Sequence, residues 1–263
     1  MVVCGDSMEL NRDYESAAIY KWRKKRKKAF VLFICIVGIC FLVTRMVRVE
    51  DKTTVKVHNM HTEQNEKAIR YVASNMIKED PKIAITFDDG PSPAWTPQLL
   101  DGLKERNVKA TFFLIGENAK NNPGLVKREA EEGHLIGNHT YHHVEITRVP
   151  DETAQEEILM TNEVITGITG EEVSYMRPPF GVWQKNLERK LDVMPVLWTI
   201  DPLDWTTDNE DEIINKVVTQ AGENDIILLH DCYESSVNAA LRIVDILQKE
   251  GFGFVTVDEL IMN

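Results

Sequence analysis

Two adjacent carboxylates, Asp88 and Asp89, close the β-rich run Lys82-Ile-Ala-Ile-Thr-Phe87 and precede Gly90-Pro91-Ser92-Pro93, which can only be turn or loop. Neighbouring carboxylates repel unless a cation or a shared proton holds them. On this stretch alone a metal site and a solvated Asp-Asp-Gly turn both stay open. A second cluster, His139-Thr-Tyr-His-His143, adds donors of another kind. Its outer histidines are four residues apart, a spacing expected to stack two imidazoles on one side of a helical turn, where both reach one ion. Joined to an aspartate they make a two-His, one-carboxylate set with positions open for water and substrate. His142 points about 100° away on such a turn, so it is expected at the surface or behind the ligands, although the spacing leaves it open as the ligand itself. His134 starts a strand and reads as a core histidine.

These groups need a scaffold that brings them together, and the chain from residue 82 alternates strand and helix. After the first strand, Thr96-Pro97 opens a helix to about Arg106, Lys109 to Ile115 is the second strand, and Asn122-Pro123 opens a helix that Gly133 closes. His134 to Asn138 is the third strand, and Asp151 opens an acidic helix ending near Gly167 or Gly170. Val173–Met176, Met194–Ile200, Asp225–Leu229 and Gly253–Val257 complete seven strands, with helical patterns at 184–191, 209–221 and 235–250 between the later ones. Repeated strand-helix units give a parallel α/β sheet, open or closed. Polar residues mark most strand ends: Asp88 and Asp89, His139 and His143, Arg177, Asp201 and Asp204, His230 and Asp231. They converge only around a common mouth, which favours a barrel with its site at the C-terminal rim.

Composition bounds the partners. The chain has 263 residues, 43% of them hydrophobic, enough for one large domain with attachments. Nine Lys/Arg and four Asp/Glu precede residue 46, so the remainder carries a formal charge of −17. That excludes nucleic acid and anionic lipid as natural partners of the distal part and suits a neutral substrate. Cys4, Cys35 and Cys40 lie in or before an apolar segment, which leaves Cys232 alone distally as a buried thiol, with no zinc cage.

Residues 1–28 end in a basic run around Trp22, and Ala29 to Thr44 carries no charge. This apolar stretch is expected to be a single-pass membrane anchor, lengthened by Trp22 and the flanking basic side chains, with the N-terminus in the cytoplasm and residues 81–263 outside the cell. No small-x-small cleavage site follows, and Ile39 before Cys40 argues against a lipoprotein. Residues 45–80 read as a juxtamembrane stalk, in which Ile69, Val72, Ala73, Met76 and Ile77 outline a short amphipathic helix.

In order, Thr86-Phe-Asp-Asp-Gly90, His139-Thr-x-x-His143, Arg177-Pro-Pro-Phe180, Asp201-x-x-Asp204-Trp205 and Ile227-Leu-Leu-His230 resemble the five motifs of the polysaccharide deacetylase (NodB-like, carbohydrate esterase 4) family. The resemblance implies a distorted (β/α)7 barrel and metal-dependent removal of acetyl groups from a glycan. It implies that Asp89, His139 and His143 bind a divalent ion, zinc by expectation, with cobalt, nickel or manganese also suited. By the same resemblance Asp88 is the general base held by Arg177, and His230 is the general acid oriented by Asp204. The backbone at Phe180 completes an oxyanion hole, and Trp205 with Leu228 walls in the acetyl methyl. Phe180 stands where the family often has Tyr, and His142 where it often has a small polar residue.

The chemistry agrees: an unreactive amide needs a polarised carbonyl, an acidified water, a base to deprotonate it and an acid to protonate the leaving nitrogen. With the anchor, the expected substrate is an N-acetylated cell-wall glycan, most directly peptidoglycan. A chitooligosaccharide or xylan deacetylase ranks second, and a catalytically silent glycan-binding module is the alternative from another class. Trp95, Trp183, Trp198 and Trp205 are candidates for a sugar groove, against packing as the commoner role.

Overall fold

A computed structural model of the chain describes residues 80–184, 187 and 191–262. The basic segment at 1–28, the expected anchor at 29–44 and the stalk up to residue 79 lie outside the described residues, as does most of the helix expected at 184–191. No helix among the described residues is long and apolar enough to cross a membrane.

Strand β1 (Lys82–Asp88) is an inner strand of a parallel sheet. It pairs with β2 (Thr111–Leu114) on one edge and β6 (Ile226–His230) on the other, while β3 (Leu135–Asn138), β4 (Tyr175–Met176) and β5 (Met194–Pro195) extend the sheet beyond β2. The short β7 (Gly253–Phe254) pairs with the first two residues of β1. The sheet curls: Met194 and Val196 bond back to β4, whereas Ile200, a few residues on, bonds to Ile226 and Leu228 of β6.

Both faces of β1 are buried, which explains its nearly continuous apolar sequence. Ile83, Ile85 and Phe87 face the helices, each with no exposed surface, and contribute about 1.5–3 kcal/mol apiece relative to exposure. Ala84 packs on the opposite face with Phe113, Val196 and Ile226. By the period of two, Thr86 and Asp88 share that inner face.

The outer layer is α1 (Thr96–Glu105), α2 (Gly116–Asn121), α3 (Pro123–Glu131), α4 (Asp151–Thr169), α5 (Glu210–Val218) and α6 (Glu234–Lys249), while α7 (Val257–Met262) packs Val257 and Leu260 into the inner-face cluster with Ala84. The caps follow the sequence signals: proline starts α1 and α3, the Asn209 side chain accepts the Glu212 N–H at the start of α5, and Gly170 ends α4 in the left-handed region at φ 79°. Helices α2 and α7 cover stretches to which the sequence assigned no helix, and α7 takes over Val257 from the expected last strand. The strand expected to run to Val257 stops at Phe254, because Val257 turns into α7.

Candidate active site

The parallel register sets Asp88 of β1 directly beside His230 of β6. Arg177, just past β4, is fully buried inside the curl, and its Nη1 donates to Asp88 Oδ1 at 2.8 Å and Thr86 Oγ1 at 2.7 Å. Its Nε donates to the Val196 carbonyl, and the Phe113 ring lies 4.3 Å beneath the guanidinium. A buried, fixed cation therefore holds one oxygen of Asp88 through a single charge-assisted hydrogen bond.

The other face of this pair carries the metal donors. Asp89 Oδ1 lies 3.4 Å from both His139 Nε2 and His143 Nε2, and the three donor atoms fall within 4.8 Å of one another. Metal bonds of about 2.0–2.2 Å in a tetrahedral arrangement require donors about 3.3–3.5 Å apart, so this set fits one ion. His139 Nδ1 is 2.6 Å from the Arg177 carbonyl. A carbonyl only accepts, so Nδ1 donates, and Nε2 is the ring atom that faces Asp89, giving up its proton when it serves as a metal ligand.

The electrostatics agree with a cation at this point. Burial disfavours charge on Asp89, but the hydrogen bond from His139 and the nearby His230, His139 and His143 outweigh it and hold its carboxyl well below the usual range. Burial also opposes protonation of His139, yet the charges of Asp88 and Asp89 prevail and raise its pKa. His143 goes the other way, to about 4, through burial and the positive His139.

Across the mouth, His230 Nδ1 meets Asp204 Oδ1 at 2.8 Å, with Asp204 almost fully buried. Burial alone would lower the His230 pKa, but Asp204, then Asp89 and Asp88, push it up to about 10. The imidazole is accordingly protonated at neutral pH, as a proton donor must be.

The histidine loop is not the helical turn that its spacing suggested. Residues 139–143 form a bend in which Thr140 (φ 62°) and His143 (φ 56°) both take left-handed backbone, and this folds the two imidazoles to one side with ring centroids 4.9 Å apart. Asp89 (φ 71°), Phe180 (φ 61°) and Leu203 (φ 56°) are also left-handed. Left-handed backbone costs non-glycine residues about 1–3 kcal/mol each, and such strain concentrates at functional sites. Gly90 permits a close approach: a Cβ there would lie 2.6 Å from the Asp231 carboxylate.

Phe180 lies in a short 3-10 turn, exposed, with its ring centroid 4.9 Å from that of His143 in an edge-on arrangement. Trp205 is half-buried in the 3-10 turn Asp204–Thr206, and Leu228 is buried on β6, two residues before His230. Asp201 accepts the Leu203 N–H and lies near enough to Asp88, Asp204, His230 and Arg177 to interact with their charges. Trp95 packs against the main core and Trp183 lies in a separate apolar cluster, both as packing residues. Trp198 lies 5.6 Å from the Arg177 guanidinium. His134 is buried as expected, its Nδ1 accepting the Ala110 N–H, and Cys232 is a half-buried thiol outside any disulfide.

His142 is not in the donor set: its Nδ1 pairs with Glu157 on α4 at 2.7 Å. Two buried acids, Glu157 and Glu129, went unnoticed in the sequence, and Asp231, read there only as a strand-end residue, accepts the Thr96 hydroxyl while Thr96 Oγ1 accepts the Ser92 N–H. The available signal was position: Glu157 lies on the inner stripe of α4 with Ala154, Ile158, Thr161 and Ile165, where a charge demands a partner.

A family model described as polysaccharide deacetylase matches residues 75–196. The peptidoglycan-N-acetylglucosamine deacetylase PgdA of Listeria monocytogenes is 37% identical over 216 residues, 80% of this chain and 46% of the relative, so the chain spans about half that protein's length. A peptidoglycan-N-acetylglucosamine deacetylase of Bacillus cereus is 39% identical over 186 residues, 68% of each chain. The solved peptidoglycan deacetylase PdaC of Bacillus subtilis superposes with a TM-score of 0.67 at 38% identity, covering 69% of this chain and 90% of that one.

Proposed function

We propose that this chain, which belongs to the polysaccharide deacetylase family, hydrolyses the acetamido group of N-acetylated sugars in a cell-wall glycan, most directly peptidoglycan, to give acetate and a free amine. The observation that carries this reading is the donor set Asp89, His139 and His143 flanked on one side by Asp88 on Arg177 and on the other by His230 on Asp204. The curl of the sheet, with 194–200 reaching from β4 to β6, supports a distorted (β/α)7 barrel whose rim holds them.

Asp89, His139 and His143 would hold a divalent ion, zinc being the best match to two imidazoles and a carboxylate. When bound there, such an ion would supply polarisation of the acetyl carbonyl and an attacking water acidified towards a pKa of about 7. Asp88, kept in place by Arg177, takes the proton from that water. The Phe180 backbone N–H stabilises the developing oxyanion, and Trp205 with Leu228 receives the methyl. His230, kept protonated by Asp204, gives its proton to the departing nitrogen. No ligand, base or acid is missing, which counts against a silent binding module.

Peptidoglycan is favoured because the relatives above are named for it and because a membrane anchor at 29–44 would hold the domain at the wall. The anchor and its orientation predict that protease added to intact cells removes residues beyond 46 and leaves the N-terminus protected. Mass spectrometry of muropeptides from cells with and without the protein tests the substrate. Loss of acetyl from glucosamine, or from muramic acid, in the presence of the protein supports the reading and names the sugar. Unchanged wall acetylation alongside activity on chitooligosaccharide would replace peptidoglycan by that substrate.

A further inference from the structure

Glu157 is 7% exposed and reaches from α4 to the bend that carries both histidine donors. Its Oε2 accepts the backbone N–H groups of Tyr141 at 3.0 Å and His142 at 2.8 Å, while Oε1 meets His142 Nδ1 at 2.7 Å. The bend needs such a clamp. Thr140 and His143 flank the clamped residues in left-handed backbone, a conformation β-branched threonine avoids, and the loop has no strand or helix of its own to fix it. On the other side, Gly116 and Glu117 at the start of α2 donate to the Thr140 and Tyr141 carbonyls. Two carbonyls of the bend are thus held by α2 and the Tyr141 and His142 amides by one carboxylate, while the Thr140 amide goes to Asn138 Oδ1 and that of Val144 to Thr140 Oγ1.

We infer that Glu157 is a positioning residue for the metal centre, setting the separation of His139 and His143 through the two amides between them without touching the ion. The inference rests on the metal reading given above. It assigns the effect to the amide clamp and not to the His142 pair, whose imidazole is half exposed and contributes little. Removing the acceptor leaves two N–H groups in a buried setting unsatisfied, and the bend relaxes.

The test is metal affinity of the full chain, by competition with a chromogenic chelator, together with the visible spectrum of the cobalt form. Wild type binding one ion is the precondition; if wild type binds none, the metal reading itself fails. Glu157→Ala is expected to bind about 10- to 100-fold more weakly with an altered cobalt spectrum, and saturating ion should restore much of the activity. Glu157→Gln, which keeps an oxygen for the amides, should recover affinity, and His142→Ala should bind as wild type does. Unchanged affinity and spectrum in Glu157→Ala would overturn the inference. So would a loss in His142→Ala equal to that in Glu157→Ala, because the imidazole pair would then carry the effect.

Discussion

Asp204 grips His230 at two points: Oδ1 lies 2.8 Å from the ring Nδ1, and Oδ2 accepts the His230 backbone N–H at 2.8 Å. One buried carboxylate thus fixes both the position of the imidazole and its charge.

For the raised pKa of His230, about 10, the consequence runs in a definite direction. Its contribution to stability is complete below about pH 6.5 and is lost as pH rises towards 10. The activity should follow the same group, with an alkaline limb in kcat/KM. Asp204→Asn should move that limb towards neutrality and lower kcat at pH 8 by about 100-fold. A pH profile with an unmoved alkaline limb would show that another group supplies the proton.

Asp88 sits against Arg177, and its neighbours Asp89 and His139 belong to the candidate metal set, which leaves Asp88 as the carboxylate for the base role. Asp88→Asn keeps the shape and the hydrogen-bonding size of the side chain but cannot take a proton. Turnover should fall by about 100-fold or more while glycan binding, measured calorimetrically, stays near wild type. A variant that turns over normally would move the base elsewhere.

Metal binding should release a proton near neutral pH, since the His139 pKa is raised by Asp88 and Asp89 until an ion displaces its proton. Affinity should therefore rise with pH through the neutral range. Calorimetric titrations with zinc in buffers of different ionisation enthalpy check this, and heats that do not vary with the buffer would contradict it.

Glu129 is fully buried on α3, with neither carboxyl oxygen hydrogen-bonded among the described residues. Burial, then the charge of Asp231, raises its pKa well above 4.5. A carboxyl raised in the fold makes stability fall as pH rises above its unfolded value, because only the unfolded chain ionises it freely. Asp231, raised to about 7 mainly by burial, acts in the same direction. Glu129→Met, similar in length and uncharged, should raise stability at pH 8 by about 1–3 kcal/mol and by less at pH 5. Urea melts at the two pH values measure it; a less stable variant at pH 8 would mean that Glu129 has a native partner.

Much of this architecture was legible because it rests on patterns with a period. The alternation of β1, the prolines at the starts of α1 and α3, and Gly170 after α4 each leave a local mark on the sequence. The residues at the strand ends were also readable, since Asp88, Asp89, His139, His143, Arg177, Asp204 and His230 interrupt apolar runs. What escaped was set by tertiary contacts. The left-handed backbone of Thr140 and His143 has no glycine to announce it, so a bend was read as a helical turn. Strands β4, β5 and β7, two residues each, are held by their neighbours and not by propensity. Glu157 and Glu129 look like solvated helix charges until the inner stripe is traced.

The central claim is that one divalent ion, held by Asp89, His139 and His143, is required for amide hydrolysis. Its most direct test is acetate release from N-acetylated wall glycan by the full chain, first stripped with chelator and then titrated with zinc or cobalt. The account predicts no release from the stripped chain, full activity at one ion per chain, and no recovery in His139→Ala at the same ion concentration. Equal release by the stripped chain, or none with any divalent ion, would contradict it.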